Sequence, residues 1–297
     1  MSHEKISLNA VLNPTDGADV LGGINLDPIR ITPPGRWPSL HLQELWDYRD
    51  LLWILAWRDI KVRYKQTALG AAWAVLQPLL TMVVFSLIFG RVAQLPSEGI
   101  PYPIFTFSAL LPWQLFAHAM LESGNSLVSN QQLITKIYFP RLLIPFGTLM
   151  SGLMDFAIAF GVLLVMMLVY QIPIRWTVLT MPGFIFLAVL TALAVGIWLS
   201  ALNVEYRDVR YTIPFLTQFW MFATPVAYSS TIVPQNLLWL YSLNPMAGVV
   251  EGFRWALLGN ESFSLPYFLL STGMVVVLFF TGLAYFHRME DSFADNI

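Results

Sequence analysis

Residues 178–202 read VLTMPGFIFLAVLTALAVGIWLSAL, twenty-five positions without one charged side chain. A helix needs about 20 predominantly apolar residues to cross the roughly 30 Å hydrocarbon core of a bilayer, and in lipid every backbone N–H and C=O must be satisfied within the segment. This block meets the first demand and, as a helix, the second. Similar blocks lie at Ala68 to Val92, Tyr102 to Leu121, Leu142 to Tyr170, Thr212 to Tyr228 and Pro266 to His287, so the sequence predicts an all-α, polytopic membrane protein with six spans. Composition agrees. The chain is 57% hydrophobic and 11% charged with a mean hydropathy of +0.62, where a soluble domain carries about 25% charged residues.

A seventh apolar stretch, 231–259, is broken by Asn244-Pro245 and carries Glu251 and Arg254. Each piece is about a dozen residues, too short to cross. A helix to Leu243, a turn at Asn244-Pro245 and a second helix through Met246 to Leu258 predict a re-entrant hairpin, which survives at membrane depth only where protein or water covers its backbone.

Before the first block, residues 42–66 place Leu42, Leu45, Trp46, Trp53, Ala56, Trp57, Ile60 and Tyr64 among nine charged side chains, mostly three or four residues apart. That pattern suits an amphipathic helix in the headgroup layer or a soluble packing helix. Residues 1–41 are polar and Pro- and Gly-rich and read as a flexible cytoplasmic extension without signal-peptide character. The transmembrane domain occupies 67–288 and a cytoplasmic tail 289–297. With the N-terminus inside and six spans, thirteen of the sixteen Lys and Arg fall on the cytoplasmic side, and Arg91, Arg175 and Arg254 on the other. Both termini are then cytoplasmic, and the hairpin faces outward.

Other function classes find no support. The net charge of −2 and the lack of a basic cluster argue against a nucleic-acid partner. There is no cysteine for a disulfide, thiolate metal site or nucleophile. These 297 residues contain no G-x-x-x-x-G-K-[ST], H-E-x-x-H or G-x-S-x-G, so neither nucleotide-phosphate binding of the P-loop kind nor the corresponding enzyme chemistries are indicated. A gradient-driven carrier places ionisable residues in its spans and repeats its topology. Only Asp155 lies deep in a span, with His118 and Glu122 near the cytoplasmic end of the second. At mid-span Asp155 must face protein or water, in a structural hydrogen bond or against substrate.

The stretch Gln131-Gln-Leu-Ile-Thr-Lys-Ile-Tyr-Phe-Pro-Arg-Leu-Leu-Ile-Pro145, the turn Asn203-Val-Glu-Tyr-Arg-Asp-Val-Arg210, and Leu243-Asn-Pro-Met246 followed by Glu251-Gly-Phe-Arg-Trp255 resemble the permease of type-2 ABC exporters for polysaccharides. The likeness covers about 42–290. Its nearest branch is the O-antigen permeases, with capsule and teichoic-acid exporters beside it and exporters of other amphiphiles, lipid or drug, as the alternative. The resemblance implies a homodimer of six-span subunits in the bacterial inner membrane with two ATPase subunits beneath it, moving an undecaprenyl-linked glycan to the periplasm. It also implies no cofactor on this chain, with ATP and magnesium held by the partner ATPase.

Within that frame, residues 125–140 form a cytoplasmic loop suited to a short coupling helix, with Lys136, Tyr138 and Arg141 as contacts of the ATPase or as anchors in anionic headgroups. The Tyr206-Arg207-Asp208 turn, flanked by Glu205 and Arg210, suits signalling or local pairing and capping. Aromatic faces stack on sugars without fixing polar geometry, and Tyr211, Phe215, Phe219 and Phe222 follow at four, four and three, one face of a helix. They line a glycan path, with Trp73 on the opposite wall, or they pack in the core or an interfacial belt. Tyr241, Asn244, Glu251 and Arg254 make up an external gate, unless Glu251 and Arg254, at i and i+3, only pair with each other.

Overall fold

The computed structural model describes residues 46–65, 72–137, 139–260, 263–290 and 293, which are helical without strands. In chain order the helices are α1 (Arg49–Lys65), α2 (Ala72–Phe85, continuing as a π-helix over Ser86–Val92), α3 (Tyr102–Ser129), α4 (Gln131–Ile134), α5 (Leu143–Val169), α6 (Met181–Glu205), α7 (Val209–Ala223), α8 (Leu238–Tyr241), α9 (Pro245–Leu258) and α10 (Leu265–Glu290). Residues 1–41, expected to form an extension, lie outside the described residues, as does the part of the amphipathic segment before residue 46.

Five helical stretches are long and apolar enough to cross a membrane: Ala72–Val92, Tyr102–Ser129, Leu143–Val169, Trp176–Glu205 and Leu265–Glu290. Their burial is unequal. Of their most apolar windows, 78% is buried in α3 and 61% in the stretch containing α6, against 11% to 28% in the other three. Helices α3 and α6 therefore form the centre, with α2 and α5 against α3, and α10 against α6. The contact is close because it is lined by small residues: a Cβ added at Gly196 of α6 would lie 2.6 Å from Ser123 Cβ of α3, the arrangement by which helices without a water-driven force between them gain packing.

The fifth expected span departs from a plain helix. Helix α7 has 15 residues, about 22 Å at 1.5 Å per residue and short of the core thickness. It stops because Thr224 precedes Pro225 and takes an extended backbone, φ −103° and ψ 144°, the helical region being closed to a residue before proline. The chain nevertheless continues along α3. Ile213 fills the notch at Gly124, Trp220 meets the Phe116 ring at 5.1 Å, and the extended segment after α7 reaches the level of Tyr102 and Phe105, where the Tyr102 hydroxyl donates to the Ala227 carbonyl. From Gly124 to Phe105 α3 rises about 29 Å. Residues 209–228 thus travel a full crossing distance, the last part without a helix of its own.

The segment 229–259 also differs in detail. Its first half is two 3-10 turns, Ser230–Ile232 and Gln235–Leu237, followed by the single turn α8, where one helix was expected. Its second half is a helix as expected. Asn244 starts α9 by accepting the Met246 N–H at 3.0 Å, Pro245 stands in the first turn, and Gly259 ends it with φ +70°, a start and a stop suited to those residue types. The two ends lie at one end of the bundle. Ser229 Oγ donates to Glu98 in the α2–α3 connection, and the Arg175 guanidinium of the α5–α6 connection lies against Gly259.

Helix α1 packs on α5, and does so lengthwise: Leu52, Leu55 and Ala56 lie over Gly147, and Arg63 and Tyr64 reach Asp155. Eight residues on α5 match about nine on α1, so the two helices run side by side. Trp46, Trp53, Ile54 and Trp57 remain exposed on its other side, Trp53 stacked on Trp57 at 6.2 Å.

Candidate transport site

The aromatic stripe is unpacked. Tyr211, Phe215, Phe219 and Phe222 are 79%, 71%, 65% and 55% exposed, while the opposite face of α7 is held by Ile213, Thr217 and Trp220. Core packing within the protomer is thereby overturned as an explanation of these rings. Trp73 on α2 is likewise exposed. Helices α2 and α7 both pack on α3, so the two aromatic surfaces flank the same central helix.

Where α7 ends, two side chains of the hairpin hold the extended backbone. Arg254 is 1% exposed and donates to the carbonyls of Val226 (Nη2, 2.8 Å), Tyr228 (Nη1, 3.0 Å) and Phe105 (Nε, 3.3 Å), its guanidinium 3.6 Å from the Phe105 ring centroid. The planar fork of arginine suits three acceptors at once. The alternative of an ion pair with Glu251 is corrected: no such pair forms among the described residues, because the guanidinium is committed to carbonyls. Glu251 Oε1 and the Tyr241 hydroxyl are buried, next to Ser230 and Tyr228 respectively. Asn244 is saturated. It accepts from Trp220 Nε1 at 2.9 Å and donates to the Ala223 carbonyl and Thr224 Oγ1, each at 3.0 Å. Asn244 and Arg254 therefore bolt the end of α7 to α9. Between α7, α8 and α10 an apolar cavity of about 650 Å³ opens, lined by Phe219, Trp220, Leu237, Leu240, Tyr241 and Met274 among others.

On the opposite end, α3 runs eight residues past the expected limit at Leu121, to Ser129, and the coupling segment reduces to the single turn α4 and the residues up to Arg141. Lys136 and Ile137 are exposed. Arg141 lies 5.8 Å from the Phe293 ring, with its Nη1 buried and lacking an acceptor. Tyr138 lies outside the described residues. In the next turn Tyr206, Arg207, Asp208 and Arg210 are exposed. The Asp208 side chain does not cap α7, and Glu205 accepts the Tyr285 hydroxyl at 2.7 Å. Among the described residues neither Arg207 nor Asp208 forms a salt bridge. The Tyr206 hydroxyl is held above its ordinary pKa by its own hydrogen bond to Glu205.

A polar cluster that spacing did not reveal joins α1 to the bundle. Asp155 pairs with Arg63 and accepts from the Tyr64 hydroxyl, so its structural role is the one observed. Arg63 Nη1 donates to His118 Nδ1 at 3.2 Å, His118 Nε2 meets Ser151 Oγ at 3.0 Å, and Ser151 donates to the Thr148 carbonyl. This chain of donors assigns the proton of a neutral His118 to Nε2. Burial, then the hydrogen bond and charge of Asp155, push the Tyr64 hydroxyl well above its usual pKa. No group of three or more His, Cys, Asp or Glu able to hold a metal occurs among the described residues.

Five long apolar helices, three of them set around a buried pair, and an aromatic face turned away from the core define an integral membrane protein of the transport class. The ABC-2 type transporter family model matches residues 50–258, and the chain belongs to that family. It is 30% identical over 259 residues to the O-antigen export system permease protein RfbA of Myxococcus xanthus, covering 86% of this chain and 98% of that one. A Klebsiella pneumoniae protein of the same description is 31% identical over 83% and 94% of the two chains. The polysialic acid transport protein KpsM of Escherichia coli is 24% identical over 79% and 92%.

Proposed function

We propose that the chain is the permease subunit of an ATP-driven exporter that moves an undecaprenyl-linked, O-antigen-like polysaccharide from the cytoplasm to the periplasm. Two copies in the inner membrane, each with six crossings and cytoplasmic termini, form the conduit. Two ATPase subunits dock beneath them and hold ATP and magnesium. The observation that carries the reading is the stripe Tyr211, Phe215, Phe219 and Phe222, a row of rings that the protomer leaves uncovered. Ring faces hold hydrated pyranoses loosely, as a sliding polymer requires. The names of the relatives, O-antigen export and polysialic acid transport, support the same substrate class.

In this reading Trp73 lines the wall facing the stripe, and the re-entrant hairpin with Tyr241, Asn244, Glu251 and Arg254 forms the external gate. Lys136, Tyr138 and Arg141, with the turn Tyr206-Arg207-Asp208, receive the ATPase. The test is Phe215→Ala combined with Phe219→Ala, followed by quantifying lipid-linked glycan on each side of the membrane. Both rings are mostly exposed, so dimer assembly and thermal stability should stay close to wild type while surface glycan falls at least severalfold and the lipid-linked form accumulates inside. Normal delivery to the surface would sink the lining role, and loss of assembly would assign the rings to packing between subunits.

A further inference from the structure

From the last turn of α10 onward the chain reads His287-Arg-Met-Glu-Asp-Ser-Phe-Ala-Asp295, a mostly polar run with one phenyl ring in it. That ring is wholly enclosed. Phe293 is 0% exposed and meets Phe286, also 0% exposed, edge to face at 5.1 Å and 77°. On another side it lies under the guanidinium of Arg141, 5.8 Å from the ring centroid. Arg141 immediately follows Pro140 and leads into α5, its carbonyl accepting the Ile144 N–H at 3.2 Å. Among the described residues no hydrogen bond or ion pair fixes its side chain, and Nη1 is buried without an acceptor. Among them the contact made by this guanidinium is the face of Phe293, within the roughly 6 Å over which a ring attracts a cation.

We propose that Phe293 is a positioning residue for the 131–141 segment, so that this ring and the end of α10 belong to the element on which the partner ATPase acts. The proposal rests on the reading of that segment as the coupling site, and deepens it. The middle of the segment is open between anchors: Ile134 and Phe139 are buried in the core, while α4 is one turn, Thr135 bonds to the local carbonyls of Gln131 and Gln132, and Lys136 and Ile137 are exposed. Phe293 ties its far end to α10, which packs along the central α6. A push delivered at 131–141 then reaches two buried elements, α5 through the chain and α10 through the ring.

The experiment uses the full chain assembled with its ATPase in lipid nanodiscs and compares wild type with Phe293→Leu, Phe293→Tyr and Phe293→Ala. Leucine keeps apolar volume against Phe286 and removes the ring face from Arg141; tyrosine keeps both. Amide exchange is followed over 131–141, with glycan export and nucleotide hydrolysis measured on the same variants. Phe293→Leu should exchange about fivefold faster over 131–141, the size of one lost cation–π contact, with α3 and α6 unchanged, and its export per ATP should drop. Phe293→Tyr should match wild type in both. Unchanged exchange over 131–141 in Phe293→Leu and Phe293→Ala overturns the positioning role. Faster exchange with unaltered export per ATP keeps the positioning role and overturns the coupling reading on which it rests.

Discussion

Replacing Arg254 tests the most demanding arrangement in the molecule. The carbonyls of Val226 and Tyr228 lie in the non-helical segment after α7, and among the described residues Arg254 is the hydrogen-bond partner of each. In Arg254→Met both lose it at a buried site, at about 1–3 kcal/mol apiece. Part of this is offset because a guanidinium no longer has to be buried. A net cost near 3 kcal/mol raises the open population of the segment about a hundredfold, at 1.4 kcal/mol per tenfold. Arg254→Lys should fare no better: it keeps the charge and its burial cost, yet its compact ammonium cannot serve three acceptors spread over Phe105, Val226 and Tyr228. Hydrogen exchange of amides 224–232 in nanodiscs reads the effect directly, with α3 and α6 as internal references. Wild-type exchange in Arg254→Met would refute the bolt, and full rescue by lysine would show that charge, not the fork, is what the site requires.

Other outcomes follow from the same structure. Arg63→Ala and Asp155→Asn should be strongly non-additive, with a coupling of about 1–3 kcal/mol in a double-mutant cycle on thermal unfolding; additivity would mean that α1 is not tied there. Because the Tyr64 pKa is raised on folding, its contribution is complete below pH 10, the free tyrosine value, and is lost as pH climbs above it. Tyrosinate absorbance of wild type minus Tyr64→Phe should therefore stay flat through pH 10, and a step below that pH would contradict the burial. A Cβ at Gly252 would sit 2.0 Å from Phe184 Cε1, so Gly252→Ala should destabilise by about 1–3 kcal/mol, and adding Phe184→Leu should recover most of the loss in the same melting assay.

How much of this was readable in advance depended on the range of the interaction. Five of the crossing helices follow from runs of apolar residues, and α9 from the Asn244-Pro245 start and Gly259 stop, because these are local facts of length and backbone. The stripe on α7 followed from spacing alone, and only its exposure needed three dimensions. The early end of α7 was encoded in Thr224-Pro225, but the apolar run continues through Tyr228 and hydropathy does not register a broken hydrogen-bond ladder. Arg254 looked like a partner for Glu251 three residues away. Its actual acceptors come from two other elements, and helical spacing carries no information about them. The joining of Arg63 to Asp155 and of Phe293 to Arg141 was invisible for the same reason.

Helices α2 and α7 both pack on α3, whose most apolar window is 78% buried. Trp73 and the four rings are therefore carried on two outer members braced by one rod. If two copies enclose the glycan as proposed, the bore is set by how far apart the chains stand, a dimension that can change without unpacking either one.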